Sequence, residues 1–333
     1  MSAPSLPIIT VMSATSKTGA AAVRALSASG AVEVRAVSRN IASDAAAALG
    51  SLPRVVSVAG DFTDGASVAA ALAGARGAML VSPGGSPTQF DAETSFVEAA
   101  VSAGVDVVRV STGSILIGDD SPVAFGREHR RVEAFIEAHA TARVVDLNPN
   151  GYMDNLLGAA GEVQATGQIS FPVRGDLSRN AYVDTRDIGG AAAAILLQPR
   201  ATFDLLLSKR RRIEVHGPKA VTLDEQVNAI AIAAGRAVSL KVLSKPSEWG
   251  DMLKSWGVPT QFADDLVATE LIAAGIEPTQ RPRVTESSPE LLAFWAPKHS
   301  IHDWADHHKS LFIKVDVDVA TTVAPSGTIL VAS

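Results

Sequence analysis

The chain of 333 residues has no cysteine, which excludes disulfides, thiolate chemistry and cysteine-ligated metals and fits a reducing compartment. It also lacks an excess of positive charge: 29 basic against 35 acidic residues leave a net of −6, so a polyanionic partner such as nucleic acid is not expected. One basic run, Lys209-Arg210-Arg211-Arg212, reads as a solvated strand edge or turn. No apolar run approaches the ~20 residues of a membrane helix. The first residues carry no basic region followed by a long apolar core, so no signal peptide is expected. A soluble cytoplasmic protein follows as the default. His216, His299, His302, His307 and His308 show no metal spacing with carboxylates, so no metal site is expected. No internal repeat is present.

What the chain does have is organised around residues 8–40. Ile8-Ile9-Thr10-Val11-Met12 is a short apolar run suited to a strand buried on both faces. Ser13-Ala14-Thr15-Ser16-Lys17-Thr18-Gly19 follows as a loop with small residues at 13, 16 and 19, and Ala20 to Leu26 has strong helix propensity. Gly30 suits the left-handed position that ends a helix. Val32 to Val37 alternates as a second strand and leads to Ser38-Arg39-Asn40, where a dinucleotide's ribose lies in a Rossmann unit. The frame is that of a dinucleotide site with two of its three glycines replaced by serine.

The alternation continues. Asp44 to Leu49 reads as a helix and Arg54 to Ala59 as a strand, ending at Asp61 and Phe62, a carboxylate and an aromatic that can bracket an adenine ring unless Asp61 only caps the turn. Gly77 to Ser82 is a fourth strand with Pro83 in the loop beyond it. The helix Gln89 to Ala103, the strand Val105 to Val110 running into Ser111-Thr112, the helix Phe125 to Ala140 and the strand Arg143 to Leu147 follow. Such alternation predicts an α/β fold, a doubly wound parallel Rossmann sheet, because parallel neighbours need crossover helices. The expected division is a dinucleotide-binding domain over 5–155, its sheet completed by part of 180–200, a smaller α/β substrate lobe over 156–313, and an extension over 314–333. In the second half, Ala181 to Asp184 and Arg212 to His216 are expected in strands, Arg212 to His216 within the lobe, and residues 295–312 in a helical region.

Several collinear stretches across residues 7–313 resemble the NmrA-like branch of the atypical short-chain dehydrogenase/reductases. Val11-Met-Ser-Ala-Thr-Ser-Lys-Thr-Gly19 is similar to its V-T-G-A-T-G-x-x-G loop, and His129-Arg-Arg-Val-Glu133 to its H-x-x-x-E helix. Leu147-Asn-Pro-Asn-Gly-Tyr-Met-Asp-Asn155 is similar to L-R-P-x-x-F-M-E-N, and Tyr182-Val-Asp-Thr-Arg-Asp-Ile188 contains a stretch like V-D-V-R-D-I. The resemblance implies NADPH binding on a Rossmann domain, with a small-molecule substrate between it and the lobe. It does not imply one reaction, since the branch includes quinone and azo reductases, ether reductases, tailoring enzymes and cofactor-binding regulators.

The expected NADP site comprises Ser13, Thr15, Ser16, Lys17, Thr18 and Gly19 for the pyrophosphate, with Arg39, Asp61, Phe62, Ser82, Pro83 and Pro149 around the rest. Serine at 13 and 16 puts a β-carbon where positive φ is expected, at roughly 1–2 kcal/mol. Arg39 stands where an acidic residue would select NAD, and its guanidinium can clamp a 2′-phosphate. By the resemblance, the usual tyrosine and lysine of short-chain reductases fall on Phe125 and His129; phenylalanine cannot move a proton, whereas His129 can act as acid or base. The other reading of His129 is a structural histidine bonded to the 148–152 loop. Tyr152 is a candidate proton donor or stacking ring, Ser111 a hydrogen-bond partner for a substrate carbonyl, and Asn150, Met153 and Asp154 complete the expected substrate end. The leading expectation is an NADPH-dependent reductase of a small aromatic, quinone-like or carbonyl compound, monomer or homodimer. An NADPH-sensing regulator and a non-redox cyclase, isomerase or lyase stand beside it.

Overall fold

A computed structural model describes residues 5–82, 84–173, 179–209, 211–276 and 283–313. Pro83, Arg210 and the expected extension over 314–333 lie outside the described residues. The first half runs β1 (Ile8–Val11), α1 (Lys17–Ser29), β2 (Glu33–Ser38), α2 (Asp44–Gly50), β3 (Val55–Ala59), α3 (Gly65–Leu72), β4 (Ala75–Leu80), α4 (Gln89–Ala103), β5 (Asp106–Val110), α5 (Ala124–Ala138) and β6 (Val144–Pro149). The second half adds α6 (Ala160–Thr166), β7 (Gln168–Phe171), α7 (Thr185–Leu197), α8 (Arg200–Lys209), β8 (Arg212–Val215), α9 (Leu223–Ala234), β9 (Ser239–Val242), α10 (Pro246–Ser255), α11 (Thr260–Ala273), α12 (Pro289–Leu292) and α13 (Ile301–His307).

Seven strands form one parallel sheet in the order β3-β2-β1-β4-β5-β6-β8. This is a doubly wound Rossmann-like α/β fold, with strand order reversing between β1 and β4. The edge strand β8 comes from 212–215, not from 180–200 as expected. In that stretch Val183 makes only an isolated bridge to Tyr152 before Asp184 caps α7. The reason is local: the Asp184 carboxylate accepts the Arg186 N–H at 2.8 Å and turns the chain into a helix after one bridge. Arg212, read as part of a solvated basic run, sits on β8 and grips Glu133 of α5 at 2.5–2.9 Å. The expected helical region over 295–312 is helical chiefly over Ile301–His307, where Ser300 and Asp303 form a capping box.

Both faces of the sheet are covered. Ile9, Val11, Val34, Val108 and Val145 pack toward α1 and α7, and Met12, Leu80, Val107, Phe96 and Ile136 toward α3, α4 and α5. α1 and α7 meet through small residues: a Cβ on Gly189 would lie 2.6 Å from the Ala21 Cβ and 2.7 Å from the Thr18 carbonyl oxygen. A smaller core of Met153, Leu156, Ile169, Ile230 and Trp304 joins α6, α9, α13 and the parallel pair β7–β9. Among the described residues, no helix is long and apolar enough to cross a membrane.

Candidate functional site

The loop after β1 divides its two serines into different roles. Ser13 has φ 51°, in the left-handed region that favours glycine. Ser16 has φ −66° and caps α1, its hydroxyl accepting the Gly19 N–H at 3.0 Å. The expectation of positive φ therefore applies to Ser13 and is corrected for Ser16, because the helix starts one residue later and needs a capping side chain there. Gly19 is required: a Cβ would lie 2.4 Å from the Ser13 carbonyl oxygen.

This loop fits a dinucleotide pyrophosphate by three observations. It opens the 13-residue helix α1, whose N-terminal N–H groups and dipole favour an anion. The buried Thr18 hydroxyl has no hydrogen-bond partner. The third is Gly19, whose missing Cβ lets the first turn of α1 close against the Ser13 carbonyl oxygen. Lys17 is not free for phosphate; its Nζ pairs with buried Asp154 at 2.9 Å. Thr15 and Arg39 are exposed, and Asp61 accepts the Thr63 backbone N–H at 2.9 Å and hydroxyl at 2.8 Å. Those bonds from Thr63, with the charge of Arg39, hold Asp61 below its usual carboxylate range. Phe62 packs against the sheet core.

At the carboxyl ends of β4, β5 and β6 lies a cleft of about 260 Å³. It brings together Ser82, Ser111, His129, Pro149, Asn150, Tyr152 and Asp154, with Phe125 beside them. The loop residues 13–19, Arg39, Asp61, Phe62 and Met153 do not line it. Met153 is buried in the smaller core instead. The Ser111 hydroxyl is buried without a partner, as is the Asn148 Oδ1. Asn150 is held by donating to the Ala181 carbonyl at 3.0 Å. Burial and then Asp154 push the Tyr152 phenol above its ordinary range.

His129 is not bonded to the 148–152 loop. It belongs to a buried polar cluster centred on Arg109, which the sequence reading passed over. Arg109 donates to Glu93 at 2.8 Å and Asp146 at 2.6 Å, and its Nη1 lies 3.2 Å from the His129 Nδ1. Arginine only donates, so that Nδ1 accepts and the neutral ring carries its proton on Nε2. Gln89 and Ser82 donate to the other Glu93 oxygen at 2.9 and 2.5 Å. Burial draws His129 down to about 4, and Arg109 adds to that against the opposing pull of Glu93. Burial alone would raise Glu93, but the Arg109 charge and the Ser82 hydroxyl outweigh it and hold it below its ordinary value. A signal for the cluster exists in the sequence: charges of opposite sign stand inside two adjacent apolar strands, and Arg109 is the register partner of Asp146.

Comparison with known proteins places the arrangement. The sequence pattern of the NmrA-like family matches residues 7–277. No curated protein sequence matches the chain. Among solved structures, the NADPH-dependent quinone oxidoreductase QOR2 of Escherichia coli, complexed with NADPH, has a TM-score of 0.67 at 21% identity, covering 90% of this chain and 99% of that one. The triphenylmethane reductase of Citrobacter sp., complexed with NADP(H), has a TM-score of 0.65 at 18% identity over 90% and 99%. NmrA, a negative transcriptional regulator, has a TM-score of 0.68 at 16% identity over 92% and 96%. At these identities the structural likeness speaks for the fold.

Proposed function

From the premise that the chain belongs to the NmrA-like family, we propose that it binds NADPH across the carboxyl edge of its sheet and reduces a small aromatic, quinone-like or carbonyl compound. The observation that carries this reading is the cleft at the ends of β4, β5 and β6, apolar in most of its wall, where Ser111, Asn150 and Tyr152 converge. Thr15, Thr18 and Gly19 would hold the pyrophosphate, and Arg39 the 2′-phosphate. Ser82, Pro149 and Asn150 would border the nicotinamide, which when bound supplies a hydride. The Ser111 hydroxyl, partnerless in this structure, would donate to the substrate carbonyl. His129, neutral and with its proton on Nε2, orients and polarises rather than acting as a strong acid, so proton delivery falls to Tyr152 or a water. Residues 156–313 would supply most of the substrate wall.

NADPH should raise the melting temperature more than NADH, and absorbance at 340 nm should fall when a quinone is added. No shift with either nucleotide would refute the reading.

A second reading, a cofactor-sensing regulator, draws on Phe125 in place of the usual tyrosine and on His129 being engaged inside the cluster. Tight NADPH binding without oxidation across quinones, azo compounds and ketones would favour it.

A further inference from the structure

Part of the cleft wall is aromatic: Phe171 stacks on Trp249 with ring centroids 6.1 Å apart, and Trp256 and Phe262 line the same cleft. Glu270 on α11 lines the cleft and, beside Phe171 and Tyr182, a small adjoining recess, and among the described residues its side chain makes no hydrogen bond or ion pair. Beside it stands Tyr182, whose ring fills the place a side chain on Gly151 would take, the nearest ring carbon 2.6 Å from that Cβ. Burial and then the Glu270 charge raise the Tyr182 phenol, against the neighbouring Asn180 and Gln226 side chains. The other charged groups of the wall are already engaged. Asp154 is paired with Lys17 and Trp304, Glu162 accepts from the Ser170 N–H and hydroxyl, and Arg283 donates to Asn180 at 2.8 Å.

We propose that this part of the cleft is a recognition site for a cationic nitrogen carried on an aromatic ring, with Glu270 as its counter-ion and the indole and phenyl faces of the wall as its bed. An unpaired carboxylate in an apolar wall is costly, and a cation that brings its own apolar body relieves that cost while a neutral ring does not. Aromatic faces add attraction for the same cation. Consistent with a site short of a partner, burial pushes the Glu270 carboxyl up to about 7. Among the described lining residues the carboxylates Asp154, Glu162 and Glu270 outnumber the guanidinium of Arg283, so their balance of charge favours a cation. This assignment deepens the reductase reading by naming its substrate class, and it rests on that reading only for what happens to the ligand after binding.

The test titrates the full chain, without nucleotide, with 1-naphthylmethylamine and with neutral 1-naphthylmethanol at pH 8 by calorimetry. The expected result is a preference for the amine of at least about tenfold, as for a hydrogen bond to a charged group. Glu270→Gln should reduce it to within about twofold while leaving the alcohol's affinity unchanged, and Glu270→Asp should retain part of it. A wild-type preference under twofold, or one that survives in Glu270→Gln, overturns the proposal. If the glutamine variant fails to fold, an aspartate variant that binds the amine as tightly as wild type does the same. NADPH-induced stabilisation is read in a separate titration, so the cation site and the reductase reading fail independently.

Discussion

Ser13 and Ser16 look alike in the sequence and differ in the fold. Ser13→Gly should relieve a left-handed serine and stabilise the protein by about 1 kcal/mol in urea unfolding. It should also tighten NADPH binding, because the loop then reaches its geometry without strain. Ser16→Ala should cost about 1 kcal/mol, the usual loss of a capping hydroxyl. His129 invites a pH prediction with a definite sign. Its folded value of about 4 lies below its unfolded 6.5, so the unfolded chain binds the extra proton first. The stability linked to His129 is full above pH 6.5 and is lost as the pH falls toward 4. In a histidine-labelled NMR titration its ring signals should stay fixed from pH 8 to 5.5. A His129 that titrates near 6.5 would undo this account. His129 was legible as a site candidate from the family resemblance; its charge state was not, because Glu93 and Arg109 reach it from elements far apart in the chain.

At the scale of elements, two contacts decide how the layers sit. Arg109 on β5 joins α4, α5 and β6 through Glu93, His129 and Asp146, all buried. Arg109→Met should destabilise by about 3–5 kcal/mol, since it leaves two carboxylates buried without their cation; denaturant unfolding checks this. The α1–α7 contact is the other. Gly189→Ala pushes a methyl into Ala21 and Thr18 and should cost about 1–3 kcal/mol. Because α1 follows the proposed pyrophosphate loop, it should also weaken NADPH binding in calorimetry. The strands and helices of the first half could be read from their periodicity, since each is a local pattern. The edge strand β8 could be read as a strand but not placed. A four-residue strand carries too little pattern to say which sheet it joins, and it lies beside β6 with Arg212 bonded to Glu133.

For the whole molecule, Asp154 ties the loop after β1 to the carboxyl-terminal part. It pairs with Lys17 at the start of α1 and accepts the Trp304 indole N–H of α13 at 2.9 Å. Asp187 holds the same segment elsewhere, accepting from the Lys298 and His299 backbones at 2.9 Å each. Asp154→Asn should keep the Trp304 bond and release Lys17 toward an anion, so NADPH affinity should rise severalfold in calorimetry while the melting temperature falls; unchanged affinity would show that Lys17 has no reach to the phosphates. The sequence by itself determined the parallel α/β sheet, the family and the loop where a dinucleotide is expected, because alternation, helix stops and motif order are written in neighbouring residues. Only the tertiary structure decided the rest: which loop serine is strained, that Lys17 is committed to Asp154, that His129 is neutral within an ion cluster, and that Glu270 shares one cleft with aromatic side chains. Each of these depends on groups brought together across distant parts of the chain, where burial and charge set what a side chain can do.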